Sequence, residues 1–256
     1  MTKPSKARIR LSFERAAPSY DQAATVQRRI CASLYEQLLH TPVPPPQRLL
    51  DAGCGTGYGL ALLTKKFPLA EALGLDLSPA MLKRTPQGSL NLGGDLEHLP
   101  LADHSIDLYW SSLAVQWCDL GKALHEAQRV LRPGGRLAIA SLGPATFDEL
   151  RQAFSGIDTH QHTLTFLPPE QMTALAQQAG FATVHLQKST ETAHYADFKT
   201  LLRAVKAVGA NQLGSGRRTS LLSRDAFARA ATAYEYCRNP AGLPLTYDVI
   251  TLIAQK

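Results

Sequence analysis

Three glycines and three acids carry the densest chemical information in the chain. Leu49-Leu-Asp-Ala-Gly-Cys-Gly-Thr-Gly57 sets Gly53, Gly55 and Gly57 at alternate positions, with Asp51 just ahead of them. Glycine lets a backbone turn sharply and approach a ligand that a Cβ would hold off. The dinucleotide fingerprint needs its third glycine one place later, where this chain has Tyr58, so the spacing argues against a pyrophosphate on the following helix. Asp76 closes a second apolar run and Asp95 follows a third. Helix capping explains any one of these acids, but not three in succession. An acid at the second strand end is placed to take both hydroxyls of a ribose, and Asp51 beside the glycine loop suits a ligand carrying positive charge.

Such positions need a scaffold in which strands alternate with helices. Val26, Ile30, Leu34 and Leu38 fall on one face of a helix predicted over Ala23–Leu39, which Thr41-Pro-Val-Pro-Pro-Pro46 stops. Strands are expected at Arg48–Ala52, Ala72–Asp76, Ser89–Gly93, Ile106–Ser111, Arg136–Leu142 and Ala182–Lys188, with a last one at Tyr247–Ala254. Helices are expected at Tyr58–Lys66, from Ser78-Pro79 onward, at Leu120–Leu131 and at Pro168–Ala179. The pattern predicts an α/β fold: a doubly wound, mostly parallel seven-stranded sheet covered on both faces, with Asp51, Asp76 and Asp95 along its carboxyl edge.

The alternation breaks between Ser189 and Asn239, which read as helices with Phe198, Leu201, Leu202, Val205 and Val208 on one apolar face. A helical insertion beside a regular core suits a lid over substrate. One domain over 1–256 results: an N-terminal helical cap (1–45), a core (46–188), a helical lid (189–240) and a last strand (241–256).

The 256 residues are 45% hydrophobic and 19% charged, and the net charge of +6 is too mild to imply nucleic acid by itself. No apolar run reaches the roughly 18 residues of a membrane-spanning helix. The basic stretch from Lys3 to Arg15 lacks the apolar segment of a secretory signal. Cys31, Cys54, Cys118 and Cys237 form no Cys-x-x-Cys pair, which reads as free thiols in a reducing cytoplasm. His160-Gln-His162 lacks a third metal ligand and reads as a surface loop.

Leu50-Asp-Ala-Gly-Cys-Gly-Thr-Gly57, Gly74-Leu-Asp-Leu-Ser-Pro-Ala-Met81, Gly94-Asp95-Leu96 and Val130-Leu-Arg-Pro-Gly-Gly135 resemble the class I S-adenosylmethionine (SAM) methyltransferases. That resemblance implies a loop, Gly53–Gly57, packed on the methionine part of the cofactor. It implies Asp76 on the ribose, Leu77 and Met81 flanking the adenine, and Asp95, followed by Leu96, meeting the adenine amino group. The flanks narrow the family. Phe13-Glu-Arg-Ala-Ala-Pro-Ser-Tyr-Asp21 with Val26-Gln27 resembles the malonyl-acyl-carrier-protein O-methyltransferases of biotin synthesis. So do Leu113-Ala-Val-Gln-Trp117, Phe166-Leu-Pro-Pro-Glu170, Leu202-Arg203 with Lys206 and Gly209-Ala210, and Pro244-Leu-Thr-Tyr247. Gly143–Thr165 matches poorly.

Membership would mean methyl transfer from SAM to the free carboxylate of a malonyl thioester, on acyl carrier protein (ACP) or as malonyl-CoA, with no nucleic acid, membrane or metal involved. A carboxylate of unperturbed pKa about 4 is already a nucleophile at neutral pH, so no general base is required. Arg203 is the preferred carboxylate clamp, since a guanidinium holds a carboxylate in a fixed orientation and the residue matches the family's motif, and Lys206 is the second choice; both share one side of a helix with Lys199, for which a solvated surface is the default reading. Tyr20 is a candidate hydrogen-bond donor, and Gln116 and Trp117 follow the fourth strand; Trp117 reads either as an acceptor-pocket wall or as core filler. Lys199, Arg203, Lys206, Arg217, Arg218, Arg224 and Arg229 against the single acid Asp225 make the lid basic, complementary to an acidic carrier. Arg217-Arg218 reads as a docking element or as a merely solvated charge pair. The rival readings are a methyltransferase for an apolar acceptor such as a quinone precursor, and a non-catalytic SAM-binding regulator. A nucleic-acid methyltransferase would carry an Asn/Asp-Pro-Pro-Tyr-type motif where this chain has Ser111-Ser-Leu-Ala-Val-Gln-Trp117.

Overall fold

Short apolar runs bounded by glycine and proline pair edge to edge, and the amphipathic segments between them cover the resulting sheet. The computed structural model describes residues 4–41, 44–209 and 223–256. The N-terminal segment forms α1 (Lys6–Ala16), α2 (Tyr20–Ala23) and α3 (Thr25–Leu39). The chain then alternates through β1 (Arg48–Ala52), α4 (Tyr58–Lys66), β2 (Glu71–Asp76), α5 (Pro79–Leu82), β3 (Leu90–Gly93), β4 (Ile106–Ser112), α6 (Leu120–Val130) and β5 (Leu131–Leu142). It continues with α7 (Asp148–Phe154), α8 (Pro169–Gln178), β6 (Thr183–Tyr195), α9 (Phe198–Ala207), α10 (Arg224–Glu235) and β7 (Leu243–Gln255).

The seven strands run in the order β3-β2-β1-β4-β5-β7-β6. β7 is antiparallel to both of its neighbours, and the remaining pairs are parallel. The chain winds outward from β1 to β3 and then restarts at β4 on the other side of β1. That reversal leaves a crevice at the carboxyl ends of β1 and β4, where open α/β sheets take their ligands. The α/β, mostly parallel expectation therefore holds.

Two apolar layers fix the sheet. On one face Val26, Ile30, Leu34 and Leu38 of α3 join Leu49, Leu60, Leu108 and Trp110; on the other Leu120, Leu124 and Ala127 of α6 join Met172 and Ala176 of α8. α3, grouped with the cap in the sequence, is thus a covering layer of the sheet, and its N-terminal end joins α1 and α2 in lining the crevice.

Several elements depart from the sequence expectation: β5 starts at Leu131 and not at Arg136, β7 at Leu243 and not at Tyr247, and α7 was not expected. β6 continues to Tyr195, past the predicted end at Lys188, by pairing residue for residue with β7 as far as Leu243. It is an edge strand whose polar side chains leave no apolar period, so its second half reads as the start of the helical region. That region begins at Phe198 instead of Ser189. α1 carries three arginines and a lysine, which hide the short stripe of Ile9, Ser12 and Ala16 that it buries. Arg217 and Arg218 lie outside the described residues.

Leu34 is fully buried against the sheet. Leu34→Ala should lower unfolding free energy by about 2–5 kcal/mol, read by urea denaturation. An unchanged midpoint would mean that α3 is a detachable cap.

Candidate active site

The loop after β1 is held from below. Gly53 and Cys54 donate their N–H groups to the Leu75 carbonyl of β2, at 2.7 and 3.0 Å. A Cβ on Gly53, whose φ is +79°, would lie 2.2 Å from the Ala114 Cβ, so glycine is required there by packing. At Gly55, with φ +55°, a Cβ would meet nothing within 4 Å: the open space is the crevice itself. Asp76 spans loop and strand, accepting the Gly55 N–H at 2.9 Å on one oxygen and the Ser78 N–H at 2.8 Å on the other. Burial raises its carboxyl above the ordinary range, and the backbone donors at Ser78, Gly55 and Leu77 oppose that rise. One carboxylate oxygen thus faces the glycine loop and the other the start of α5, and Asp76 lines the crevice.

Two adjoining compartments open above this loop. The first is lined by Asp76, Leu77, Met81, Asp95 and Leu96 from the core, and by Lys6, Ile9 and Phe13 from α1. The second is lined by Asp51, Gly53, Gly55 and Thr56, and by Asp21, Gln27 and Arg28 of the N-terminal segment. Tyr20, Gly53, Gly55, Ser112 and Leu113 belong to both and form the seam between them.

The sequence-derived residues divide accordingly. Asp51, Gly53, Gly55, Asp76, Leu77, Met81, Asp95, Leu96, Tyr20 and Trp117 all line this pair of compartments. Gly57 stands below it, at the start of α4. Trp117 is buried and meets Phe13 edge-on at 5.6 Å, so it walls the compartment that holds Asp76. Gln116 folds back to donate to the Leu113 carbonyl at 2.8 Å and lines neither compartment. Arg203 and Lys206 are exposed on α9, on the side away from buried Phe198 and Leu201, and they too line neither compartment. A helical wheel gives the side of a helix, but the placing of that helix decides what the side faces.

Lys6 is a residue that the sequence reading passes over. Its ammonium lies 2.8 Å from Asp95 and 2.7 Å from Glu97, and donates to the Cys118 thiol at 3.4 Å. Burial alone would lower the Lys6 pKa, but Cys118, Asp95 and Glu97 together raise it above its ordinary value. The ion pairs fasten α1 over Asp95. The signal was present: Lys6, Ile9 and Phe13 recur at helical spacing and all line one compartment. Asp21 was missed as well. It accepts from the Thr56 hydroxyl at 2.7 Å and pairs with Arg28 at 3.0 Å, tying the N-terminal segment to the glycine loop.

A sheet that reverses at β1 and β4, a glycine loop beneath the reversal and a ribose-ready acid ending β2 are the architecture of a class I SAM-dependent methyltransferase. The profile described as "Methyltransferase domain" matches residues 50–139. The chain is 64% identical over its full length to the malonyl-[acyl-carrier protein] O-methyltransferase of Dechloromonas aromatica, spanning 96% of that protein. It is 42% identical to the malonyl-[acyl-carrier protein] O-methyltransferase of Laribacter hongkongensis, over 96% of this chain and 87% of that one. A solved SAM-dependent methyltransferase from Thermotoga maritima, described as a possible histamine N-methyltransferase, shares the fold: TM-score 0.57 at 18% identity, covering 96% of this chain and 99% of that chain. The chain belongs to the malonyl-[acyl-carrier protein] O-methyltransferase family, and its cofactor is SAM. The residues present fit that cofactor: crevice space opens directly over Gly55, Asp76 is ready to accept ribose hydroxyls, and Asp51 offers a carboxylate to the amino-acid end.

Burial, with the nearby Asp76 charge, pushes the Asp51 carboxyl up to about 7, while a backbone hydrogen bond with Leu60 draws it down. Asp51 is therefore largely neutral below that pH and attracts a cofactor ammonium only once ionised. S-Adenosylhomocysteine affinity should rise about tenfold from pH 6 to pH 8 as Asp51 ionises, and Asp51→Asn should flatten the profile. Calorimetric titration at both pH values checks this; a wild-type affinity that is flat or falls with pH would contradict it.

Proposed function

We propose that the chain transfers the methyl group of SAM to the free carboxylate of malonyl-ACP, giving the methyl ester from which the pimeloyl chain of biotin is built. The observation that carries this reading is the composition of the seam. Tyr20, Gly53, Gly55, Ser112 and Leu113 are the residues common to both compartments, and they include no histidine or carboxylate. Enclosure and the neighbouring charges of Asp76 and Asp21 raise the Tyr20 phenol far above neutrality, so it serves as a donor and not as a base. A seam with donors and no base suits an acceptor that arrives already ionised.

SAM, when bound, supplies an electrophilic methyl group on a sulfonium, which is an effective leaving group. The chain's contribution is position and exclusion of water. Tyr20 offers its hydroxyl hydrogen to an incoming carboxylate oxygen, fixing one oxygen and leaving the other to attack. Leu113 presents apolar surface beside it, and α1 with Phe13 and Trp117 shields the cofactor side. Positioning of this kind is worth several kcal/mol of barrier. The methyl ester removes a charge that an apolar synthase channel would accept only at a cost of several kcal/mol.

The carrier is met on the surface. Lys199, Arg203 and Lys206 on α9, with Arg224 and Arg229 on α10, are exposed. Their exposure favours a steering role toward an acidic carrier over the carboxylate clamp that the sequence suggests for Arg203. Buried, unpaired Cys31, Cys54 and Cys118 support a reducing cytoplasm as the working compartment. No helix among the described residues is long and apolar enough to cross a membrane.

Mass spectrometry of malonyl-ACP and of malonyl-CoA after incubation with SAM tests the reaction, with one added methylene expected on the malonyl group. Unmodified malonyl-ACP would refute the reading; methylation of malonyl-CoA alone would move the substrate from carrier to coenzyme. Turnover of malonyl-ACP should fall with added salt more steeply than that of malonyl-CoA, since exposed charges are screened beyond about 8–10 Å near physiological ionic strength. Parallel salt profiles would remove the basic surface from carrier recognition.

A further inference from the structure

Two buried N–H donors in one compartment have no hydrogen-bond partner among the described residues: Arg28 Nε and Trp110 Nε1. Both residues line the compartment that also contains Asp51 and the glycine loop. A buried donor left unpaired is costly, so two of them in the lining of one compartment point to an acceptor that enters with the ligand. The Arg28 guanidinium is otherwise held firmly. One terminal nitrogen lies 3.0 Å from an Asp21 carboxylate oxygen, and the group sits over the Tyr58 ring at 5.3 Å from its centroid. It projects from α3, whose packing on the sheet fixes its origin. Its Nε is thus held in place with no hydrogen-bond partner among the described residues.

We propose that Arg28 is the carboxylate-binding residue of the cofactor site, so that the compartment between Arg28 and Asp51 selects a ligand bearing an intact α-amino acid group. The assignment rests on the methyltransferase reading and deepens it. Asp51 offers negative charge to an ammonium, while Arg28 and Trp110 offer N–H donors to a carboxylate. An α-amino acid end carries both groups one carbon apart. An acceptor's carboxylate has the same chemistry as the cofactor's, but the acceptor brings no ammonium for Asp51, and Arg28 lines only the compartment that Asp51 lines. A guanidinium fork is the side chain suited to hold a carboxylate in one plane. The same guanidinium grips Asp21, next to Tyr20 in the chain, so the residue that reads the cofactor's amino-acid end is tied to the segment that supplies the seam donor.

The test is calorimetric binding of S-adenosylhomocysteine and of its decarboxylated analogue, which keeps adenosine, thioether and amine, to the wild-type chain, Arg28→Met and Arg28→Lys. Arg28→Met should weaken S-adenosylhomocysteine roughly 10- to 100-fold, the scale of a lost charge-assisted hydrogen bond, and leave the decarboxylated analogue within threefold. Arg28→Lys should recover part of the loss for the carboxylate ligand alone. Equal weakening of both ligands would reduce Arg28 to a structural role and overturn the assignment. So would unchanged S-adenosylhomocysteine affinity in both variants with a raised KM for malonyl-ACP, which would place Arg28 on the acceptor. Failure of the wild-type chain to bind S-adenosylhomocysteine at all would instead refute the methyltransferase reading.

Discussion

The site depends on one carboxylate. Asp76 receives N–H groups from Gly55 and Ser78 on its two oxygens, and so locks the loop after β1 to the end of β2. Gly53 and Cys54 reinforce the lock by donating to Leu75 in the same strand. A loop of alternate glycines has many conformations open to it; these contacts choose one, and in it the space over Gly55 stays clear. Without that choice, the acid proposed to take the ribose and the backbone beneath the crevice would have no fixed relation. Burial raises the carboxyl's pKa, and that cost is offset by donors that also set the geometry, a common use of a buried polar group.

The core supplies only part of the site. Its other wall is the N-terminal segment: Lys6, Ile9 and Phe13 over one compartment, Asp21 and Arg28 over the other, Tyr20 between them. This wall is attached by ion pairs and hydrogen bonds (Lys6 to Asp95 and Glu97, Thr56 to Asp21) and by the Phe13–Trp117 contact. Partly exposed ion pairs contribute modestly to stability. α3 is packed by fully buried Ile30 and Leu34, and ahead of it Ala16 and Ala17 bury against Met81.

Much of this was legible in the sequence, and what was not has physical reasons. Gly53, Gly55, Asp76 and Asp95 were readable because their work is backbone conformation and strand-end position, which local spacing encodes. The succession of strands and helices along the chain, and with it the mostly parallel class of the sheet, followed from the alternation of periods. β6 beyond Lys188 was not readable, because an edge strand with solvent on one side needs no apolar rhythm. Arg203 and Lys206 were read correctly as one side of a helix, but where that side faces is a tertiary fact. Arg28 and Lys6 escaped for a related reason. Each is a single basic residue on a helix rich in them, and what distinguishes it is a partner, or a missing partner, far away in the chain: Asp95 for Lys6, an unoccupied donor direction for Arg28.

A cofactor enclosed between the loop fixed by Asp76 and the N-terminal segment would shield both from solvent. Amide hydrogen exchange of the full chain, with and without saturating S-adenosylhomocysteine, tests it most directly. Strong added protection is expected both in residues 53–57 and in residues 6–28, with the two regions responding at the same ligand concentration. Protection confined to the glycine loop and the end of β2, with residues 6–28 exchanging as in the free protein, would contradict it.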